Sequence, residues 1–74
     1  MDTGEKKEMK NIKAVVIRLH SSPTPVIVEN TGAGLQVVRT ADGYLTVLEL
    51  LEDGEKFLRL EVAPGEWITW EVTT

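Results

Sequence analysis

The chain has 74 residues, a net charge of −4 and no cysteine. A chain of this length forms one domain at most, and without cysteine it has no disulfide, no thiolate metal site and no cysteine nucleophile. His20 is the single histidine, so one copy cannot build a multi-histidine metal site. A domain this small buries only about 60% of the surface of its unfolded chain, so a partner subunit is the simplest further source of stability.

The charge is unevenly distributed along the chain. Residues 1–20 carry five basic and three acidic side chains, whereas residues 21–74 carry three basic and nine acidic ones. Residues 1–10 are polar and lack periodicity, which predicts a flexible charged arm ahead of a single β domain over residues 11–74. The acidic body argues against a nucleic-acid groove on its surface, because phosphate binding needs a basic footprint.

No apolar run approaches the roughly 18 residues that cross a bilayer. Residues 1–8 also lack the apolar stretch of a signal peptide. We therefore expect a cytoplasmic protein without a membrane partner.

From residue 11 onward, β-branched runs alternate with glycine and proline turns. This pattern predicts an all-β fold of about six short antiparallel strands in a hairpin meander, closing as a small barrel or packing as a two-layer sandwich. The predicted strands span residues 12–19, 26–28, 35–40, 44–51, 56–63 and 66–73.

Two turns predict the register of neighbouring strands. Asp42-Gly43 suits a two-residue type I′ hairpin, which would place Leu35 opposite Leu50. The Pro-Gly pair at 64–65 suits a type II turn and predicts a final hairpin between the last two strands. We expect a third loop residue and a glycine bulge in this hairpin.

That final hairpin has one register that sorts its apolar residues onto one face. It would place Leu60 opposite Trp70 and Leu58 opposite Val72, both in the core. On the other face it would pair Arg59 with Glu71.

The fourth predicted strand is apolar on both faces. Leu45, Val47 and Leu51 point one way, and Leu48 and Leu50 point the other. Because an antiparallel sheet of a small lone domain usually has one wet face, the second face is expected to be covered from within or by another subunit. The candidate interface residues are Tyr44, Leu48, Leu50, Phe57 and Trp67.

No motif in the chain indicates catalysis, a cofactor or a metal. His20 could be a ligand or a general base, but its neighbours Ser21 and Ser22 do not by adjacency form a catalytic triad. The glycines at 32 and 34 precede a strand, whereas a phosphate-binding loop precedes a helix. The sequence therefore predicts no enzyme and no cofactor.

The preferred function is a non-enzymatic β module that acts through self-assembly or macromolecular binding, as a homo-oligomer or with a protein partner. A first alternative is an acidic inhibitor that mimics nucleic acid in a basic groove. Its carboxylates would form one surface row from Glu49, Glu52, Asp53, Glu55 and Glu66. A second alternative is nucleic-acid binding through the basic arm between Lys6 and Lys13.

Overall fold

The computed structural model describes residues 5–74, with side chains from Met9 onward, and these residues form strands and no helix. The strands are β1 (Glu5–Met9), β2 (Ala14–Leu19), β3 (Val26–Glu29), β4 (Gly34–Arg39), β5 (Leu45–Leu50), β6 (Lys56–Val62) and β7 (Trp67–Thr73). All strand pairs are antiparallel. The predicted all-β class is confirmed.

The strands form two sheets, one in the order β1-β4-β5-β6 and the other in the order β3-β2-β7. The molecule measures 34 × 33 × 17 Å. Its shortest dimension accommodates two sheets about 10 Å apart with their outward side chains. Because β1, β6, β3 and β7 remain edge strands within residues 5–74, the sheets form an open two-layer sandwich.

The core lies between the two sheets. Alternate residues of β2, β4 and β5 point inward, as the period of two along a strand requires. The buried cluster consists of Val15, Ile17, Val28, Leu35, Val37, Leu45, Val47 and Val62. Trp67 and Trp70 are partly buried and pack against it, so the predicted core position of Trp70 is confirmed.

The hairpin between β4 and β5 exists, but its predicted two-residue turn is wrong. The amide of Thr40 donates to the Tyr44 carbonyl and the amide of Gly43 donates to the Thr40 carbonyl, which makes a three-residue loop. Gly43 has a φ of 97°, whereas Asp42 has a negative φ and so cannot form a type I′ turn. The register therefore shifts by one residue and places Gly34, not Leu35, opposite Leu50.

The predicted pairing between the last two strands is also wrong. Ala63 and Glu66 close a turn over Pro64 and Gly65, with a 3.1 Å bond from the Glu66 amide to the Ala63 carbonyl. This turn carries the chain from the four-stranded sheet into the three-stranded sheet, where β7 pairs with β2. A Pro-Gly turn suits both a hairpin within one sheet and a crossing between two sheets. The alignment of apolar residues across the predicted hairpin could not distinguish these two connections.

The segment predicted as an arm contains a strand. Glu5–Met9 pairs with β4 at one edge of the four-stranded sheet, with Met9 opposite Leu35. Met9 packs against the core, which gives this polar segment one apolar anchor. The part of the predicted arm before residue 5 lies outside the described residues.

Candidate interaction surface

The outer face of the four-stranded sheet carries the second apolar row of β5. Leu45 and Val47 are completely buried in the core. By alternation Leu48 and Leu50 lie on the opposite face, together with Tyr44, which precedes the strand. Leu48 is half-buried and belongs neither to the core cluster nor to the residues packed against it, whereas Leu50 is buried at the end of the strand.

Strand register extends this row across three strands. Leu58 of β6 lies directly opposite Leu48. Val38 of β4 lies diagonally next to Leu48, because Gln36 is the residue opposite Leu48. Cross-strand neighbours at such positions are close enough for their side chains to touch. We call Val38, Leu48 and Leu58 the apolar diagonal.

The apolar diagonal is open to solvent at its β6 end. Leu58 is 53% exposed, and Tyr44 on the same face is 37% exposed, whereas Leu48 and Val38 are half-buried. Leu50 lies on this face at the end of β5 and is 9% exposed. The structure thus brings three predicted interface residues, Tyr44, Leu48 and Leu50, onto one face.

The other two predicted interface residues lie elsewhere. Phe57 lies opposite Glu49, on the inward side of the sheet, and is 58% exposed near the start of β6. The indole Nε1 of Trp67 donates a 2.9 Å hydrogen bond to the Gly43 carbonyl, and the ring packs against the core. Trp67 therefore connects the β4–β5 loop to the core of the sandwich.

Sequence reasoning missed Leu58 as a surface residue. The predicted β6–β7 hairpin placed Leu58 in the core opposite Val72. In the structure β7 belongs to the other sheet, and the partner of Leu58 is Leu48. The register of β6 against β5 would have placed Leu58 opposite Leu48 and therefore on the surface.

The outer face of the three-stranded sheet is more polar. Val16 and Ile27 lie opposite each other on this face, and Ile27 is 58% exposed. On β2 and β7 they are accompanied by Arg18 and Glu71, whose side chains approach to 4.0 Å. Isolated exposed apolar residues of this kind are normal on protein surfaces.

A polar cluster connects β6 to the turn between β3 and β4. The Nη1 atom of Arg59 donates to Glu49 Oε1 at 2.8 Å, to the Glu29 carbonyl at 3.0 Å and to Thr31 Oγ1 at 3.4 Å. The side chains of Glu49 and Arg59 are only 11% and 25% exposed. The predicted pairing of Arg59 with Glu71 is therefore wrong, and the acidic partner of Arg59 is Glu49.

Gly32 packs directly against this cluster. A Cβ atom at residue 32 would overlap the Glu49 carboxylate and lie 2.9 Å from the Leu50 carbonyl oxygen. The Gly32 amide donates to Asn30 Oδ1, and the Ala33 amide donates to the Leu50 carbonyl. The Gly32 and Ala33 amides are thus bonded within the protein.

The residues considered for chemistry do not converge. His20 is exposed, and its backbone amide donates to the Glu66 carbonyl at 2.8 Å. The Ser22 hydroxyl is bonded to the backbone of Thr24. Within the described part of the chain, no three histidine, aspartate or glutamate side chains are placed to hold a metal ion.

A groove of about 490 Å³ lies beside the turn between β5 and β6. Its lining residues are Lys10, Ala33, Leu50, Leu51, Glu52, Gly54, Glu55 and Lys56. They combine two positive and two negative charges and include neither histidine nor a hydroxyl group.

The acidic residues do not form one row. Glu49 is bound to Arg59 and nearly buried. Glu52, Asp53 and Glu55 lie in the turn before β6, whereas Glu66 lies in the turn after it. The seven residues of β6 separate the two turns by about 20 Å, since a strand rises about 3.3 Å per residue.

The basic segment is only partly described. Lys10 and Lys13 are exposed, and the side chains of Lys6 and Lys7 lie outside the described ones. Among residues 5–74 no helix is long and apolar enough to cross a membrane.

Comparison with family models, with curated proteins and with solved structures finds no match for this chain.

Proposed function

We propose that this protein is a non-enzymatic assembly module whose copies associate through the outer face of the four-stranded sheet. The observation that carries the proposal is the apolar diagonal, which lies on the face opposite the core of the same sheet. A sheet in a lone sandwich needs one apolar face, so the exposed part of the second face, at Leu58 and Tyr44, is available for a partner.

Edge-to-edge pairing is less well supported than face packing. In β6 Leu58 and Leu60 oppose consecutive residues of β5, so Arg59 is an extra residue that forms a bulge. A second irregularity lies in the pairing of β2 with β7, where Ile68 is the extra residue. Bulges and charged side chains are features that protect edge strands from pairing with another chain.

The size of the face is adequate for a stable contact. A standard interface buries about 800 Å² on each partner. The broad side of the sandwich measures 34 × 33 Å. Burial of the exposed half of Leu58 would supply the apolar centre that such interfaces have, with Tyr44 at its margin.

The test is the mass of the chain in solution, measured by sedimentation equilibrium and light scattering at micromolar concentration. We expect the wild-type chain to associate. The Leu58→Lys variant should dissociate at least about 100-fold more readily, because a charged ammonium would replace an apolar side chain at the centre of the contact.

The control is Ile27→Lys on the other outer face. Ile27 and Leu58 have similar exposed fractions, 58% and 53%, and each lies opposite an apolar residue. The control should associate as the wild type does. A folded wild-type chain that stays monomeric, or equal association of all three proteins, would refute the proposal.

A further inference from the structure

Two hairpin loops of the four-stranded sheet have the same backbone hydrogen bonding and each contains an Asp-Gly pair, at 42–43 and at 53–54. In the loop between β5 and β6 the Leu51 amide donates to the Glu55 carbonyl at 2.9 Å, and the Gly54 amide donates to the Leu51 carbonyl at 3.0 Å. The loop between β4 and β5 has the two equivalent bonds at the same lengths. The two loops are therefore a matched pair in which the surroundings of the Asp-Gly pair can be compared.

An Asp-Gly pair is prone to rearrange, because the glycine has no Cβ atom to hinder attack by its backbone nitrogen on the aspartate carboxyl. The bond from nitrogen to Cγ forms, and one oxygen of the neutral carboxylic acid leaves as water together with the amide hydrogen. The product is a five-membered succinimide ring. Water then adds to either ring carbonyl and gives aspartate or isoaspartate, in which the main chain runs through the former side chain. The sequence needs no oxidant or cofactor and leaves the mass unchanged.

The Asp-Gly pair of the β4–β5 loop is held from several sides. The Gly43 carbonyl accepts the 2.9 Å hydrogen bond from Trp67 Nε1. A Cβ atom at residue 43 would lie 3.1 Å from Pro64 Cβ, so the Gly43 backbone packs closely on this proline. The Asp42 carboxylate accepts a hydrogen bond from the Thr40 hydroxyl. Rotation of this peptide therefore disturbs contacts outside the loop as well as within it.

The Asp-Gly pair of the β5–β6 loop is open by comparison. Residues 51–58 are all exposed, and a Cβ atom at Gly54 would meet no described atom within 4 Å beyond its chain neighbours. Asp53 Oδ1 accepts a 3.0 Å hydrogen bond from the Glu55 amide. This side-chain turn spans the Gly54 peptide and so keeps the carboxyl close to the nitrogen that would attack it.

We infer that Asp53-Gly54 is a site of isoaspartate formation in the folded protein and that Asp42-Gly43 is protected from it. Ring closure requires each glycine amide to leave its carbonyl partner, and in the β4–β5 loop it also disrupts the bond from Trp67. Loss of one such bond lowers the population of the opened loop about 2- to 10-fold. The inference is independent of the proposed assembly.

Ageing of the folded wild-type chain tests the inference. The protein would be incubated at physiological temperature and mildly acidic pH in water enriched in heavy oxygen, because hydrolysis of each succinimide introduces one heavy oxygen atom. Chymotryptic cleavage after Tyr44 separates the two sites, and electron-transfer fragmentation identifies isoaspartate in each peptide. We expect label and isoaspartate to accumulate about 2- to 10-fold faster at residue 53 than at residue 42.

The same chain unfolded in guanidinium chloride measures the intrinsic reactivity of the two pairs. There they should react at similar rates, because each aspartate precedes a glycine and the loops are lost. If the folded chain shows equal rates at the two sites, a faster rate at residue 42 or no isoaspartate at residue 53, the inference is wrong.

Two variants test the cause of the difference. Trp67→Phe removes the indole donor, so it should speed the reaction at Asp42 about 2- to 10-fold and leave Asp53 unchanged. Asp53→Glu should abolish the product at residue 53, because its longer side chain cannot close the five-membered ring. Circular dichroism would confirm that both variants are folded. An unchanged rate at Asp42 in folded Trp67→Phe would contradict protection by the indole bond.

Discussion

The two outer faces of the sandwich differ in how their apolar side chains are arranged. On the four-stranded sheet Val38, Leu48 and Leu58 follow one diagonal across three strands. On the three-stranded sheet Val16 and Ile27 form a pair across two strands, accompanied by the Arg18–Glu71 ion pair. The exposure of Leu58 and Ile27 is similar, so exposure alone would not separate the faces. Continuity across strands is what makes the first face a candidate for assembly.

The largest expected effect comes from loss of the contact that holds β6 in place. Arg59→Ala would leave the Glu49 carboxylate, 11% exposed, without its cationic partner. We expect the free energy of unfolding to fall by about 1–3 kcal/mol, because a charged hydrogen-bonding group would lose its partner away from water. Urea unfolding of dilute protein would measure this.

The double variant Arg59→Ala with Glu49→Gln is the control for that loss. It removes the charge that the single variant leaves unpaired, so it should recover part of the lost stability. Equal stability of Arg59→Ala and the wild type would show that the cluster does not support β6.

The next effect compares the centres of the two outer faces. Leu48 and Val16 are both half-buried strand residues. Leu48→Lys should raise the dissociation constant of the assembly by about 30-fold or more, because a charge would replace the central apolar contact. Val16→Lys should leave the dissociation constant unchanged; sedimentation equilibrium would show whether the two variants differ.

A smaller effect is expected at the margin of the face. Tyr44 and Leu51 are each 37% exposed, but only Tyr44 lies on the outer face of the four-stranded sheet. Tyr44→Ser should weaken association about 3- to 10-fold, because an aromatic contact is worth about 0.5–1.5 kcal/mol. Leu51→Ser should have less effect on association in the same measurement. A larger effect of Leu51→Ser than of Tyr44→Ser would indicate an interface near the β5–β6 turn instead.

The smallest effect is expected for the ion pair on the polar face. The side chains of Arg18 and Glu71 are 56% and 62% exposed and lie 4.0 Å apart. Arg18→Ala should change the free energy of unfolding by less than about 0.5 kcal/mol, since exposed pairs contribute little. A change of several kcal/mol in urea unfolding would show that this face has a structural role that its exposure does not indicate.

The sequence was sufficient for the class of fold and for the two-faced character of β5, because side-chain alternation is a local property. Leu45 and Val47 did become core, and Leu48 is half-buried outside the core cluster. It was insufficient for the pairing of β6 and β7, because the turn at 64–65 is compatible with a hairpin and with a crossing between sheets. The position of Leu58 depended on that choice.

The register of the first hairpin failed for a different reason. Asp42-Gly43 satisfies the composition of a two-residue turn, but only Gly43 adopts a positive φ. The Thr40 hydroxyl also bonds to the Asp42 carboxylate and accepts a hydrogen bond from the Tyr44 amide, which favours the longer loop. Side-chain capping of this kind was not visible from residue types alone.

The most direct measurement of the central claim is the concentration dependence of methyl NMR shifts in the wild-type chain. On dilution from submillimolar to low micromolar protein, the methyl signals of Val38, Leu48 and Leu58 should shift together along one binding curve. Those of Val16 and Ile27 should remain constant. Constant shifts for the apolar diagonal across the series, or larger shifts at Ile27, would contradict assembly through the four-stranded sheet.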